Sequence, residues 1–153
     1  MFPIMDENGD VIAFGGRVMD DTKPKYINSP DSQLFSKRTR LYGYPYKAER
    51  RSEAIIICEG YMDYIALHSA GYQDCAAVLG TALTEEHVRL IASHYKKVYL
   101  SMDSDGAGIN ATKKSIGLLK AAGLPVRVLD FRPYKDPDEF LRSNPYGVDA
   151  FHT

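Results

Sequence analysis

Two kinds of hydrophobic patterning divide the chain. From residue 53 onward, short continuous apolar runs alternate with segments of helical period. Ala54–Cys58 is unbroken and rich in isoleucine, which predicts a strand buried on both faces. Tyr61–Ala70 follows as a helix with Ile65 and Leu67 on its apolar side and Gly71 just past its end. Cys75–Leu79 reads as the next strand. Thr84 then caps a helix with Glu85 and Glu86 in its first turn and Val88, Leu90, Ile91 and Tyr95 on its apolar face. Lys97–Met102 is a third strand. A helix over 107–122 is expected to turn Ile109, Ile116, Leu119 and Ala122 inward, with Gly123 ending it. Val126–Phe131 is a fourth strand, and Pro137 opens a last helix over 137–142. Strand starts 21, 22 and 29 residues apart suit βαβ crossovers. The expected fold class is therefore α/β: a parallel four-stranded sheet flanked by helices.

The first third of the chain is patterned differently. Phe2–Met5 and Val11–Phe14 flank Asp6-Glu7-Asn8-Gly9-Asp10, a turn composition, so a β-hairpin is expected there. Gly15-Gly16-Arg17 is expected to interrupt it and Val18-Met19 to start another strand. Residues 20–51 are rich in Pro, Lys, Arg, Ser and Tyr without a clear period. They read as surface loops with at most one short helix.

Charge sharpens this division. The net charge of −1 splits into +2 over residues 1–52 (nine Lys/Arg, seven Asp/Glu) and −3 over 53–153 (ten and thirteen). Residues 37–51 hold Lys37, Arg38, Arg40, Lys47, Arg50 and Arg51 against Glu49 alone, a local balance of +5. Such a stretch beside an acidic half suits a polyanion on one side and metal ions on the other, or a solvated surface. Tyr26, Tyr42, Tyr44 and Tyr46 nearby suit stacking on bases or packing. The 153 residues make one modest domain, or one small domain and part of another. No apolar run approaches the roughly 20 residues of a membrane span, and no secretory signal is visible. Two cysteines, Cys58 and Cys75, offer neither a disulfide framework nor a zinc-binding pair, so a reducing cytoplasm is expected. Cys58 reads as a packed small hydrophobe, and His68, His87, His94 and His152 as scattered surface or helix residues.

Ligands on open parallel sheets bind beyond the carboxyl ends of the strands. After the first strand comes Glu59-Gly60-Tyr61-Met62-Asp63, and after the second Gly80-Thr81. After the third comes Asp103-Ser104-Asp105-Gly106, and past a short loop after the fourth, Asp136-Pro137-Asp138-Glu139. Three of four strand ends thus deliver carboxylates to one rim. Crowded carboxylates raise one another's pKa unless a cation joins them, and all-oxygen ligands favour Mg²⁺ or Mn²⁺ over zinc. Each piece also has a plain structural reading. Asp-x-Asp-Gly is often a turn with an N-cap, Asp136-Pro137 a helix start, and Gly80-Thr81 a strand-to-helix turn or a phosphate seat. Asp103-Ser104-Asp105-Gly106 is also similar to the nucleophile loop of haloacid-dehalogenase-type phosphatases, but those place it after the first strand of their domain.

A Glu after the first strand, an Asp-x-Asp after the third and a later Asp resemble the Toprim domain of topoisomerases, primases and some nucleases. Further strings narrow the likeness: Phe14-Gly15-Gly16-Arg17, Pro24-Lys25-Tyr26-Ile27-Asn28-Ser29-Pro30, Leu41-Tyr42-Gly43, Glu59-Gly60-Tyr61-Met62-Asp63, Leu79-Gly80-Thr81-Ala82-Leu83-Thr84 and Asp136-Pro137-Asp138. Together they resemble the bacterial DnaG-type primase along essentially the whole chain. Near Tyr44-Pro45-Tyr46 the chain departs from the usual Leu-Tyr-Gly-Leu pattern.

The resemblance implies a DNA-directed RNA polymerase that lays short RNA primers for replication in the bacterial cytoplasm. It implies three parts: the end of an N-terminal lobe with a basic ridge (1–51), a Toprim domain (52–135) and the start of a helical region (136–153). A zinc-binding domain and a domain engaging the replicative helicase are expected elsewhere in the longer protein, so zinc is not expected in this chain. The implied partners are single-stranded DNA template, ribonucleoside triphosphates and the RNA primer, with no membrane. Glu59, Asp103 and Asp105 are implied as catalytic, with Asp136 and Asp138 completing the metal cluster. Glu59 serves either as a ligand or as a base acting through water. Gly80 and Thr81 are candidate nucleotide contacts; Arg17, Lys23, Lys25, Lys37 and Arg38 are candidate DNA contacts. The rivals are a Toprim nuclease or topoisomerase and a non-catalytic nucleic-acid-binding Toprim module.

Overall fold

The computed structural model describes residues 1–46, 52–103 and 105–144. It contains two sheets. The first is antiparallel, in the order β1 (Phe2–Met5), β2 (Val11–Arg17), β3 (Tyr26–Asn28). The expected hairpin turn is made by Asp6, whose Oδ1 accepts from the N–H groups of Asn8 and Asp10 at 2.8 and 3.0 Å. Two expectations fail here. Gly15-Gly16-Arg17 continues β2 instead of interrupting it, and the third strand is Tyr26–Asn28, not Val18-Met19. Pairing across the loop decides both: Gly15, Gly16 and Arg17 lie opposite Asn28, Ile27 and Tyr26. Gly15 is also required by a neighbour, because a Cβ there would sit 2.1 Å from the Tyr61 Oη.

The second sheet holds four parallel strands, β4 (Ala54–Cys58), β5 (Cys75–Ala77), β6 (Lys97–Ser101) and β7 (Val126–Val128), in the order β5-β4-β6-β7. Helices α1 (Tyr61–Ser69), α2 (Glu85–Ala92), α3 (Gly106–Ala121) and α4 (Pro137–Ser143) complete it. Alternation along the central strands sorts the two faces. Ile55, Ile57, Val98 and Leu100 pack with Val88, Ile91 and Leu119 under α2 and α3. Ile56 and Cys58 pack with Leu67 and Leu141 under α1 and α4. Cys58 is buried as expected, and burial, before the nearby Asp63 charge, pushes its thiol pKa well up. β5 and β7 end earlier than the apolar runs suggest, although Val78 and Leu79 stay buried beyond β5. Ile65 (37% exposed), Ile109 (47% exposed) and Ala122 are not core residues. Ile109 stands in the first turn of α3, where it borders an open groove with Val128 and Phe131 instead of a packed layer.

The sheets are joined by packing. Phe2 stacks on Tyr61 with centroids 4.5 Å apart, and Tyr42 meets Tyr61 and Tyr64 edge-on at 4.7 and 5.0 Å. Ile4, Ala13 and Phe35 share a buried cluster with Tyr61 and Leu79. Tyr42 exchanges backbone hydrogen bonds with Ala77 at 2.8 and 2.9 Å, so the loop after β3 covers the free edge of β5. Among the described residues of 20–46 there is no helix. Lys47, Glu49, Arg50 and Arg51 of the basic stretch, and Ser104 and His152, lie outside the described residues.

Candidate active site

The carboxyl edge of the parallel sheet gathers the acidic residues that the pattern nominates. Glu59 follows β4 directly, and its Oε2 accepts from the Asp103 N–H, beyond β6, at 2.9 Å. The two central strand ends are thereby tied. Asp105 caps α3 by accepting from the Gly108 N–H at 2.7 Å. Gly108 allows that approach, since a Cβ there would lie 2.0 Å from the Asp103 carbonyl oxygen. Asp136 caps α4 in the same way, from the Glu139 N–H at 2.8 Å, with Pro137 opening the helix. Asp138 pairs with Arg142 one turn on at 2.7 Å.

These carboxylates act on one another. Burial first, then the Glu59 charge, raises the Asp103 pKa to about 6; Lys135 opposes the rise, and Asp136 and Asp105 add to it. Asp63, in the first turn of α1 and 6% exposed, is raised to about 7. Burial dominates, followed by the charges of Asp136 and Asp103, while an N–H from Asp138 partly offsets them. The cluster is linked electrostatically, yet among the described residues no three His, Cys, Asp or Glu side chains converge on one coordination point. Asp105 and Asp136 instead face backbone N–H groups, which is their plain structural reading.

Two grooves flank the rim. One of about 610 Å³ lies between α3 and the segment after β7, bordered by Asp103, Ile109, Lys113, Phe131, Arg132 and Lys135. The other, of about 460 Å³, is bordered by Arg38, Thr81, Thr84, Glu86 and Lys114. Thr81 Oγ1 is buried in the described structure without a hydrogen-bond partner, and Gly80 adopts a left-handed φ of +74°.

The antiparallel sheet meets the β5 end of this edge through Asn28, and of the basic residues Arg38 borders Thr81 there. The Asn28 Nδ2 donates to the Leu79 carbonyl at 3.1 Å, and Tyr61 Oη donates to Asn28 Oδ1, so the end of β3 abuts the loop after β5. Arg17 closes β2 with its guanidinium 5.7 Å from the Tyr26 ring centroid. Lys23 and Lys25 stand exposed in the β2–β3 loop, and Lys37 and Arg38 in the loop beyond it.

Comparison with known proteins matches this arrangement. Residues 1–48 fit the model of the DNA primase catalytic core, N-terminal domain, and residues 56–141 the Toprim-like model. The chain belongs to the Toprim-like family, and within it to the DnaG-type primases. A DNA primase of Clostridium acetobutylicum is 45% identical over 152 residues, 99% of this chain and 25% of that protein. The chain thus spans about a quarter of the length of that primase. A crystal structure of a DNA primase domain from Pseudomonas aeruginosa superposes with a TM-score of 0.90 at 40% identity, covering 99% of this chain and 48% of that one. A DnaG primase catalytic domain solved bound to single-stranded DNA superposes at 0.86 with 35% identity, over 99% and 49% of the two chains.

In this primase-family chain the structure therefore brings Glu59, Asp103, Asp105, Asp136 and Asp138 to one rim, with Gly80 and Thr81 at its β5 end. It holds Arg17, Lys23 and Lys25 on a separate sheet. Sequence reasoning missed Asp63 as a member of the acidic cluster. Its signal was a carboxylate four residues after Glu59 on a helix otherwise facing apolar partners. His87 is a helix residue of α2, one of the two readings given for it, and it is fully buried under the basic loop. Tyr44 (5% exposed) packs in the core, whereas Tyr26 (39% exposed) stays open.

Proposed function

We propose that this chain carries the nucleotidyl-transfer site of a primase that synthesises short RNA primers on single-stranded DNA. The supporting observation is the rim itself: carboxylates from three strand ends crowd until Asp103 and Asp63 are pushed to about 6 and about 7, on an edge whose β5 end the loop of Arg38 borders. Repelling carboxylates beside a polyanion have little use without a cation to join them. Their all-oxygen character fits Mg²⁺ or Mn²⁺, with Glu59, Asp103, Asp105, Asp136 and Asp138 as the residues that would hold it. When bound, such ions neutralise charge developing on phosphoryl oxygens.

The chain's own residues supply the rest. Glu59, fixed on the Asp103 N–H, stands either as a ligand or as a base reaching the primer 3′-hydroxyl through water. Gly80 and Thr81 offer backbone N–H groups and a hydroxyl to a nucleotide phosphate. Arg17, Lys23, Lys25, Lys37 and Arg38 hold template phosphates, which positions the strand without reading its sequence. In this reading residues 1–51 are the end of the template-gripping lobe, 52–135 the Toprim domain and 136–153 the start of a helical region. Ribonucleoside triphosphates and the primer are its partners, and a replicative helicase engages another part of the longer protein in the cytoplasm. No helix among the described residues is long and apolar enough to cross a membrane.

The test is primer synthesis on single-stranded DNA by the full-length parent protein with and without Mg²⁺. Metal-dependent ribonucleotide incorporation is expected. Nicking or relaxation of DNA with no incorporation would favour the nuclease or topoisomerase reading, and metal-independent DNA binding alone the binding-module reading.

A further inference from the structure

The loop that carries Lys37 and Arg38 is held by its backbone. Thr84, the N-cap of α2, donates its hydroxyl to the Arg38 carbonyl at 2.6 Å. His87, one turn on, faces the Arg40 carbonyl through Nε2 at 3.0 Å. The His87 Nδ1 accepts from the Thr84 N–H at 3.2 Å, so the ring is neutral with its proton on Nε2, and it is the donor to Arg40. The Thr84 Oγ1 in turn accepts from the His87 N–H at 3.2 Å. Two donors on one helix end thus take alternate carbonyls of the basic loop.

Capping alone does not require this set. Glu or Gln at the third helical position satisfies the N-cap N–H as well as imidazole does. Imidazole adds a second nitrogen on the far side of the ring, and that nitrogen meets the loop. His87 is completely buried, so its second bond is shielded from competing water. The loop is tethered from the other side too, by Phe35 (1% exposed) in the antiparallel core and by Arg40, which pairs with Glu7 at 2.5 Å. Between these anchors Lys37 and Arg38 project to solvent.

We infer that Thr84 and His87 are positioning residues for the template grip. They touch no nucleic acid themselves. They fix the height and direction of Lys37 and Arg38 relative to the carboxylate rim, because α2 starts from the loop that follows β5 on that same sheet edge. The inference rests on the reading of Lys37 and Arg38 as template contacts.

The test measures binding of oligothymidylate by the full chain across a salt series, with thermal melting of each variant. Thr84→Ser keeps both the cap and the donor and is expected to match wild type in affinity, salt slope and melting. Thr84→Gly remains a good cap but has no hydroxyl. Its melting is expected to stay close to wild type while affinity falls about two- to tenfold, the worth of one lost hydrogen bond. Its log–log salt slope should become shallower by up to about 0.7, one phosphate contact. His87→Leu should weaken binding in the same way if it melts cooperatively; if it does not fold, the Thr84 pair decides. Wild-type affinity and slope in Thr84→Gly overturn the inference. A wild-type slope that Lys37→Ala with Arg38→Ala leaves unchanged removes the template reading itself, and this inference with it.

Discussion

The two sheets solve the problem of burial in opposite ways. β4 and β6 are covered on both faces, and Ile55, Ile57, Val98 and Leu100 have no exposed surface. The antiparallel sheet covers one face only: Ile4 and Ala13 are buried while Met5, Phe14 and Ile27 are 48%, 46% and 58% exposed. The fully packed sheet ends in carboxylates whose charges oppose one another. The open sheet and its loops carry cations that face solvent. Opposed charges need a rigid frame to hold them together, because repulsion would otherwise spread them. Cations that grip a flexible strand need reach rather than rigidity. This contrast gives each region its own way to be broken.

The largest effect is expected at the rim. Asp105→Asn keeps an N-cap for α3 but removes a charge that bears on Asp103. Primer synthesis in the full-length background should fall on the order of 10²–10³-fold, with Mn²⁺ binding weakened. Melting of the metal-free protein should hold or rise slightly. Wild-type synthesis and metal binding would leave Asp105 as a cap and nothing more.

Packing should separate the two sheets next. Leu100→Ala empties the centre of the parallel core and should cost about 2–5 kcal/mol in denaturant melts. Ile27→Ala, on the open sheet, should stay within about 0.5 kcal/mol. Equal losses would mean that the open face is covered in solution.

The pH dependence of stability has a worked sign. Asp63 and Asp103 hold their protons up to about 7 and about 6 when folded, against an ordinary aspartate value of 3.8. Between about pH 4 and 7 the folded state therefore binds more protons than the unfolded one, and stability falls as pH rises. Melting in chelator should be higher at pH 5 than at pH 7.5, and Asp63→Asn should flatten the difference. The buried neutral His87 pulls the other way over the same window, so a pH difference that Asp63→Asn leaves unchanged is the result that would contradict the crowded rim.

The smallest effect concerns the cations. Removing Lys37 and Arg38 together should weaken oligothymidylate binding and flatten its log–log salt slope by about 1.4, two contacts at about 0.7 each. Core melting should not change. An unaltered slope would place the template grip elsewhere.

How far this was legible depends on where the information lay. The βαβ series was readable because buried strands announce themselves as unbroken apolar runs, and helices by Thr84, Asp105 and Pro137 at their starts. The rim was readable because those runs end in carboxylates and parallel strands bring their ends to one edge. β3 was not readable, since Tyr-Ile-Asn has no period of its own and is a strand only by lying against Gly15–Arg17. Ile109 failed because helical period tells which face a residue occupies, not whether that face meets a packed layer or an open groove.

Local sequence determined the order of elements, the caps, the strand ends and the identity of the charges placed there. These follow from hydrophobic period and from side chains bonding to backbone within a few residues. Tertiary structure alone decided that Glu59 would be tied to the Asp103 N–H, 44 residues away, that Asp63 would be buried among like charges, and that His87 would hold the Arg40 carbonyl. Each of those depends on which groups are excluded from water together. That exclusion is a property of the packed whole, so no window of the chain contains it.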